Sequence, residues 1–275
     1  MDNRESVIVV TGASSGIGNA CATFLAKKGS RVYGTCRNPA SYRRNADEFF
    51  EMLPMELSDT ASVVKAADRI YAAERRVDAL VCCAGSGLVG SIEDSSVEEA
   101  ESIMNVNYLG TLRTIKAFLP GMREEGKGRI VVVGGLEGVV ATPFQGLFSA
   151  SEFALRALVQ SLRLEIRGFG IEASFIAIGS FRTGFGQNRK LAVGYSASSA
   201  YKPSLESASG ILSRDEAGGA DPFIVARAVY NILAARHAAP MRTMGSVERR
   251  MCAYSSRWLP ARAFERRLGK YYRLG

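Results

Sequence analysis

The stretch "SVIVVTGASSGIGNACATFLAKKG", residues 6–29, decides the fold. A short β-branched run reads as a buried strand, and the apolar residues after the glycines recur at helical spacing. Between them stands "TGASSGIG", Thr11 to Gly18. Glycines 12, 16 and 18 let the backbone turn sharply and approach a pyrophosphate closely. They also launch a helix whose first N–H groups face the anion. Ser14, Ser15 and Ile17 fill the loop between and after them. A glycine-rich turn can also join a strand to a helix without binding anything, so the rest of the chain has to decide.

Outward from this loop, "SRVYGTC", "VDALVCCAG", "GRIVVVGG" and "IEASFIAIG" read as further strands. They alternate with helical patterns in "TASVVKAADRIYAAE", "VEEAESIMNVNYLGTLRTIKAFLPGMREEG" and "FSASEFALRALVQSLRLEIRGFG". Alternation of this kind specifies a parallel sheet. Right-handed crossovers then cover both faces, giving a doubly wound, Rossmann-type three-layer α/β/α sandwich of class α/β with its ligand crevice at the carboxyl ends of the strands. In that context the loop after the first strand is a dinucleotide site. No repeat or long linker divides residues 1–275, so one domain is expected. Residues 184–220 are polar and weakly periodic, which fits a flexible flap over the crevice.

The second strand ends in "GTCRNP", where a free ribose 2′-hydroxyl would meet an Asp or Glu. Cys36 and Arg37 stand there instead. With no acid to repel a 2′-phosphate and a guanidinium to pair with it, NADP(H) is the expected cofactor; a solvated surface arginine is the plainer alternative.

Composition narrows the function. With 275 residues, 47% apolar and 23% charged, the chain can bury one substantial core. Its apolar runs are too short and too interrupted to span a membrane. "MDNRESVIVV" lacks the order of a secretory signal, so a cytoplasmic protein beginning here is expected. The five cysteines include no CxxC pair, which suits a reducing compartment and argues against a thiolate metal site. Cys82 and Cys83 should lie in a strand. The lone His237 reads as a surface or capping residue, so His-based catalysis and metal binding are not expected.

The net charge is +8, but after Pro240 there are nine Arg or Lys against two Glu, so the basic extension 241–275 holds nearly all of it. Nucleic-acid binding is therefore not expected of the domain. The tail "RWLPARAFERRLGKYYRLG" mixes arginine with Trp258, Phe264, Tyr271 and Tyr272 as a short amphipathic helix. It either docks its aromatic side on the domain, or meets an anionic membrane surface, a partner or a second subunit.

With TGxxxGxG in place, the chain resembles the short-chain dehydrogenase/reductase family, in its hydroxysteroid-dehydrogenase-like branch, over nearly its whole length. "DALVCCAG" is similar to the family's strand ending in NNAG, with Cys83 at the second Asn and Ala84 and Gly85 kept. "MNVNYLGT" carries the family's helix Asn as Asn107. "MELSD" has Glu56, followed by Leu57, where an Asp meets the adenine. "AIGSFRT" resembles PGxVxT, retaining Gly179 and Thr183 with Ile178 and Phe181 as replacements. The resemblance implies a homo-oligomer, with the helix that holds Phe148 in the interface.

In this family a Ser orients the substrate carbonyl, a Tyr passes the proton, and a Lys four residues on binds the ribose and lowers the Tyr pKa. Aligned without gaps, Gly135, Phe148 and Glu152 fall at those positions. Phenylalanine has no proton to give, and losing a positioned general acid alone costs about 10²- to 10⁴-fold. Asn107 and Glu152 remain as candidates for chemistry. Ionised, Glu152 would accept hydrogen bonds from the nicotinamide ribose and favour NADP⁺ over NADPH; buried, it could keep its proton and act as an acid; displaced toward solvent, it would do neither. Ser149 and Ser151 should point off the Phe148/Glu152 face, while Glu137, Tyr108, Tyr195 and Tyr201 are weaker stand-ins.

Three functions follow. One is a cofactor-binding protein or pseudoenzyme that has lost the usual redox machinery. Another is an NADP-dependent oxidoreductase on a steroid-, lipid- or polyketide-like ketone or alcohol with a substitute donor. The third is a non-redox enzyme running an elimination, cyclisation or proton transfer through Glu152. Glu152 facing the nicotinamide would favour an enzyme; Phe148 or Phe181 filling that pocket would favour the binding role.

Overall fold

The structure is a computed structural model and describes residues 5–43, 45, 48–256 and 258–274. The extreme N-terminus, on which the expectation about a leader rests, and Arg257 of the tail lie outside the described residues. In chain order the elements are β1 (Val7–Thr11), α1 (Gly16–Lys27), β2 (Arg31–Cys36), β3 (Glu51–Pro54), α2 (Thr60–Glu74), β4 (Ala79–Cys82), β5 (Leu88–Val89), α3 (Val97–Met104), α4 (Gly110–Glu124), β6 (Gly128–Gly135), α5 (Gly146–Glu165), β7 (Ile171–Ile178), β8 (Lys190–Leu191), α6 (Lys202–Ala217), α7 (Phe223–Ala234), β9 (Met241–Met244), α8 (Val247–Ser255) and α9 (Ala261–Tyr272).

Seven strands pair in parallel in the order β3-β2-β1-β4-β6-β7-β9. This is the doubly wound sandwich expected from the alternation, and its strand order reverses between β1 and β4. Ligands of open parallel sheets bind at such a switch point. The central strands β1 and β4 are buried along their whole length, as residues covered on both faces must be. One apolar cluster holds α2, α4 and α5 to the sheet through Ile70, Phe118, Leu155 and Leu162. Another holds α1 and α7 to the opposite face through Cys21, Leu25, Val225 and Val229. Burial of each such Leu, Ile or Phe contributes about 1.5–3 kcal/mol.

The sequence reading found five strands, and the sheet adds β3 and β9 at its two edges. Their sequences, "EMLP" and "MRTM", are four residues long and carry no β-branched run. Proline and arginine are tolerated there because an edge strand leaves one row of backbone groups unpaired. Cys82 closes β4 and is buried, whereas Cys83 lies one residue past the strand and is half-buried. His237 is 80% exposed beside Glu172, beyond the end of α7.

Residues 184–220 hold more regular structure than their composition suggests. They contain the short strand β8, paired with β5, and the sixteen-residue helix α6. Arg189 and Glu216 form an ion pair between the start of the segment and α6. Leu205, Ala208, Ile211 and Leu212 of α6 pack with Val89 and with Tyr272 of α9. In the stretch 257–275 the amphipathic helix is α9, and the rest of the basic extension adds β9 and α8 before it. α9 lays Leu268, Tyr271 and Tyr272 against α6 and Phe264 against the main core, and its Arg262, Arg266 and Arg267, with Arg273 just after it, are exposed. Among the described residues, no helix is long and apolar enough to cross a membrane, and no group of three or more His, Cys, Asp or Glu could hold a metal ion.

Candidate functional site

The phosphate loop is built as its glycines require. Gly12 and Gly16 have φ of 69° and 55°, in the left-handed region. A Cβ on Gly18 would stand 2.3 Å from the carbonyl oxygen of Gly12, so only glycine closes this turn. Ser15 precedes α1 with extended backbone and no side-chain cap, and the first turn of α1 carries no acid. Its N–H groups therefore remain open to an anion. Thr11 accepts from the N–H groups of Cys83 and Ala84 at 3.1 and 3.2 Å, which fixes the end of β4 beside the loop. Ala84 lies so near that a Cβ on Gly12 would meet it at 2.8 Å, and Thr183 approaches Gly16 from the far side. Ser14, Ser15, Gly85 and Arg37 are exposed around this rim.

These residues fit a dinucleotide pyrophosphate: a left-handed glycine turn, an uncapped helix and no acid in its first turn. Gly12, Ser14, Ser15, Gly16, Ile17 and Gly18 would cradle the phosphates, and a bound nicotinamide would supply a hydride acceptor or donor.

Other predicted site residues are held by contacts within the protein. Phe181 is buried and packs with the α1–α7 cluster, its backbone bridging to Ala220. Leu57 is buried, close enough that a Cβ on Gly110 would meet it at 2.7 Å. The Glu56 carboxylate accepts from the backbone and hydroxyl of Ser58. Gly179 ends the β7 segment, its N–H bonded to Met244.

Asn107 sits in a π-helical turn, Asn105–Leu109, between α3 and α4. Its amide holds Ser86 from both sides, accepting from the Ser86 N–H at 2.8 Å and donating to its carbonyl at 3.0 Å. It also donates to the Ser151 hydroxyl at 3.0 Å, which in turn donates to the carbonyl of Phe148. Asn107 thus positions the loop after β4 against α5.

On α5, Phe148 is buried and its ring lies 5.8 Å from that of Phe185. Phe185 in turn rests against Gly87, where a Cβ would come within 3.0 Å of it. Two phenyl rings therefore bridge α5 to the residues after β4.

Glu152, 4% exposed, turns its carboxylate onto the end of β6 and accepts from the Gly135 N–H at 2.7 Å. Gly134 makes room, since a Cβ there would stand 2.3 Å from the same oxygen. Burial pushes the Glu152 pKa up to about 8; the Gly135 N–H works against the rise and the charge of Glu137 adds to it. With its pKa near 8 the Glu152 carboxyl mostly keeps its proton at neutral pH, which corresponds to the buried-acid alternative among the three that the sequence leaves open.

Glu137 fills the space beside Gly135: a Cβ on that glycine would lie 2.4 Å from its Oε2. Arg249, reaching in from α8, pairs with Glu137 at 3.1 Å and donates to the hydroxyl of Ser180. Burial opposes the Arg249 charge, but the Glu137 carboxylate together with Tyr272, Asp215 and Tyr271 outweighs it and raises the guanidinium pKa. Ser246 caps α8 through the Arg249 N–H, which orients the residue. Arg249 and Ser180 leave no signal in the sequence, since Arg249 lies 112 positions from Glu137 and 69 from Ser180, and Ser246 marks only a helix start.

Next to this pair lies a cavity of about 240 Å³ whose walls include Leu136, Val140, Cys252, Leu268 and Tyr272. Glu152 and Phe148 are not among its lining residues. Tyr195 and Tyr201 donate their hydroxyls to Glu206 and Glu93, and Ser149 accepts from the Thr142 N–H.

Comparison with known proteins places this geometry. The chain is 33% identical over 270 residues, 98% of each chain, to the 3-ketodihydrosphingosine reductase of Bacteroides thetaiotaomicron. It is 37% identical over 193 residues to human 17-beta-hydroxysteroid dehydrogenase type 1, covering 66% of this chain and 58% of that one. In fold it is similar to a short-chain dehydrogenase from Streptomyces avermitilis, with TM-score 0.80, 23% identity and coverage of 100% and 98%. It is also similar in fold to a Burkholderia cenocepacia short chain dehydrogenase solved with NADP, with TM-score 0.75, 22% identity and coverage of 98% and 99%. The pattern described as short chain dehydrogenase matches residues 6–193, and with that match and the full-length Bacteroides relative, this chain belongs to the short-chain dehydrogenase family.

Proposed function

We propose that this protein binds NADP(H) and a lipid-like ligand, and that the alcohol/ketone chemistry usual in its family has been replaced. The observation that carries the reading is the position of Glu152, buried and bonded to the Gly135 N–H. In the resemblance, Gly135, Phe148 and Glu152 stand where a hydroxyl, a phenol and an ammonium would work together. Here Gly135 has no side chain and the phenyl ring of Phe148 packs on Phe185, so the Glu152 carboxyl, turned onto the end of β6, is the one acidic group left at the three positions. Arg37 and the absence of an acid after β2 support the 2′-phosphate, and relatives of this fold bind either NAD or NADP. The apolar walls of the cavity, and the lipid substrate named for the full-length Bacteroides relative, support the ligand class. The reading includes a cytoplasmic protein, supported by five free cysteines, and self-association through α5, where Phe153 and Leu164 are exposed.

A second reading is favoured by the raised pKa of Glu152: a neutral acid in an apolar setting is suited to proton transfer without hydride exchange.

The test is a titration with NADPH and NADP⁺, followed by a panel of ketones and alcohols on the wild type and on Gly135→Ser/Phe148→Tyr/Glu152→Lys. Binding without turnover in the wild type, with activity gained by the triple variant, is expected. Because a side chain at 135 meets the Glu137 carboxylate, the same triple variant is also made with Glu137→Ala. Strong wild-type turnover would overturn the proposal, as would failure to bind either nucleotide.

A further inference from the structure

Helix α8 is apolar on the side that should be polar. Its inner side carries Arg249, bonded to Glu137, and Cys252 and Ala253, which line the cavity. Its outer side presents Val247, Met251 and Tyr254 at i, i+4 and i+7, a single helical stripe, with exposures of 72%, 57% and 42%. Trp258, three residues past the helix, is 86% exposed, and Leu259 beside it is 37% exposed. Nothing among the described residues covers this stripe. The same segment is rich in exposed cations: Arg242, Arg250, Arg262, Arg266 and Arg273 are exposed, as are Arg267 and Lys270, which also border the cavity, against Glu248 and Glu265. On α9, Arg262 and Arg266 fall on one side, opposite the buried Tyr272 and the half-buried Leu268, and Arg273 follows the end of the helix.

We propose that α8, Trp258 and the basic side of α9 form a surface that docks on an anionic lipid bilayer. Charge selects this occupant. The segment after Pro240 carries nine Arg or Lys against two Glu, so a second copy of the same surface would be repelled. Nucleic acid would satisfy the arginines but leave the aliphatic stripe against water. A bilayer interface accepts both: apolar side chains and tryptophan enter the headgroup boundary while the basic residues meet anionic headgroups. The inference does not depend on the state of the catalytic positions.

Trp258 is the one tryptophan of the chain, so intrinsic fluorescence reads the surface directly. The full-length protein is mixed with vesicles of phosphatidylcholine, alone or in equal mixture with phosphatidylglycerol. The expected result is cosedimentation and a blue-shifted Trp258 emission with the anionic vesicles, both reduced by salt. At a factor of about five per basic residue near the surface, Arg262→Gln/Arg266→Gln weakens partitioning about 30-fold. Val247→Ser/Met251→Ser, also at exposed positions, abolishes the blue shift. The proposal fails if wild-type emission and sedimentation are the same with and without anionic vesicles, or if both vesicle types bind equally. It also fails if the blue shift grows with protein concentration in the absence of lipid, which would mean that a second copy covers the stripe.

Discussion

The carboxylate of Glu152 rests on the backbone N–H of Gly135, 2.7 Å away, at the end of the strand where β6 leaves the sheet. The contact explains how a buried acid is tolerated on the crevice side of α5. One oxygen has a donor, and the remaining cost of burial is met by retaining the proton.

That proton makes stability depend on pH. The folded pKa of Glu152 is about 8, above the ordinary value of 4.5. Its contribution is therefore fully present below pH 4.5 and is lost as pH rises to about 8. Over that window this group lowers stability by about 1.4 kcal/mol per pH unit. Glu152→Gln, which keeps an oxygen for the Gly135 N–H, is expected to flatten the loss. Urea denaturation of both proteins at pH 5.5 and 8.5 measures it; equal losses would place the titration elsewhere.

Arg249→Met is expected to destabilise the protein by about 3 kcal/mol, because it leaves the Glu137 carboxylate buried without its cation. The side chains of the pair are 13% and 9% exposed, so solvent replaces little of the lost interaction. Glu137→Gln/Arg249→Met is expected to recover most of that loss. Denaturation of the two single variants and the double variant gives the coupling.

Gly18→Ala would place a methyl 2.3 Å from the Gly12 carbonyl oxygen, and the loop must open to admit it. About 1–3 kcal/mol of stability and the ability to bind a dinucleotide are expected to go together. Gly29→Ala is the control: unlike Gly18 it has a left-handed φ, of 84°, so an alanine is strained there too, but nothing lies within 4 Å, and it should leave cofactor titration unchanged.

Arg37→Ala is expected to weaken NADPH about tenfold and to leave NADH unaffected, the low end for a charged hydrogen bond because Arg37 is exposed. Isothermal titration with both nucleotides measures the ratio. Parallel losses would show that Arg37 does not read the 2′-phosphate.

The sequence carried the sheet's interior and the phosphate loop plainly, because both rest on local patterns: β-branched runs such as Val7–Val10 and three glycines at fixed spacing. The edge strands were hidden because Glu51–Pro54 and Met241–Met244 are shaped by the neighbours they pair with, β2 and β7, rather than by their own propensity. Helix α6 was hidden for a related reason. Its apolar stripe, Leu205 to Leu212, is thin among serines and glycines and becomes a core only when Tyr272 arrives from the tail. The local environment of Glu152 was half legible: its place on α5 followed from spacing, but its protonation depends on Gly134 leaving room and on Glu137 lying nearby. Arg249 left no trace, since a pair separated by 112 positions has no pattern within either segment.

The ion pair of Glu137 and Arg249 also imposes an order on assembly. Strands β1 to β7 and the phosphate loop precede Arg249 in the chain, so a nascent protein can complete its dinucleotide crevice while the tail is still being made. The apolar cavity cannot exist at that stage, because Cys252, Leu268 and Tyr272 supply much of its wall. Until Arg249 is added, Glu137 is left without its cation in a half-open groove. The wall of the apolar cavity is thus completed later in the life of each molecule than the phosphate loop, when the last two helices have been added.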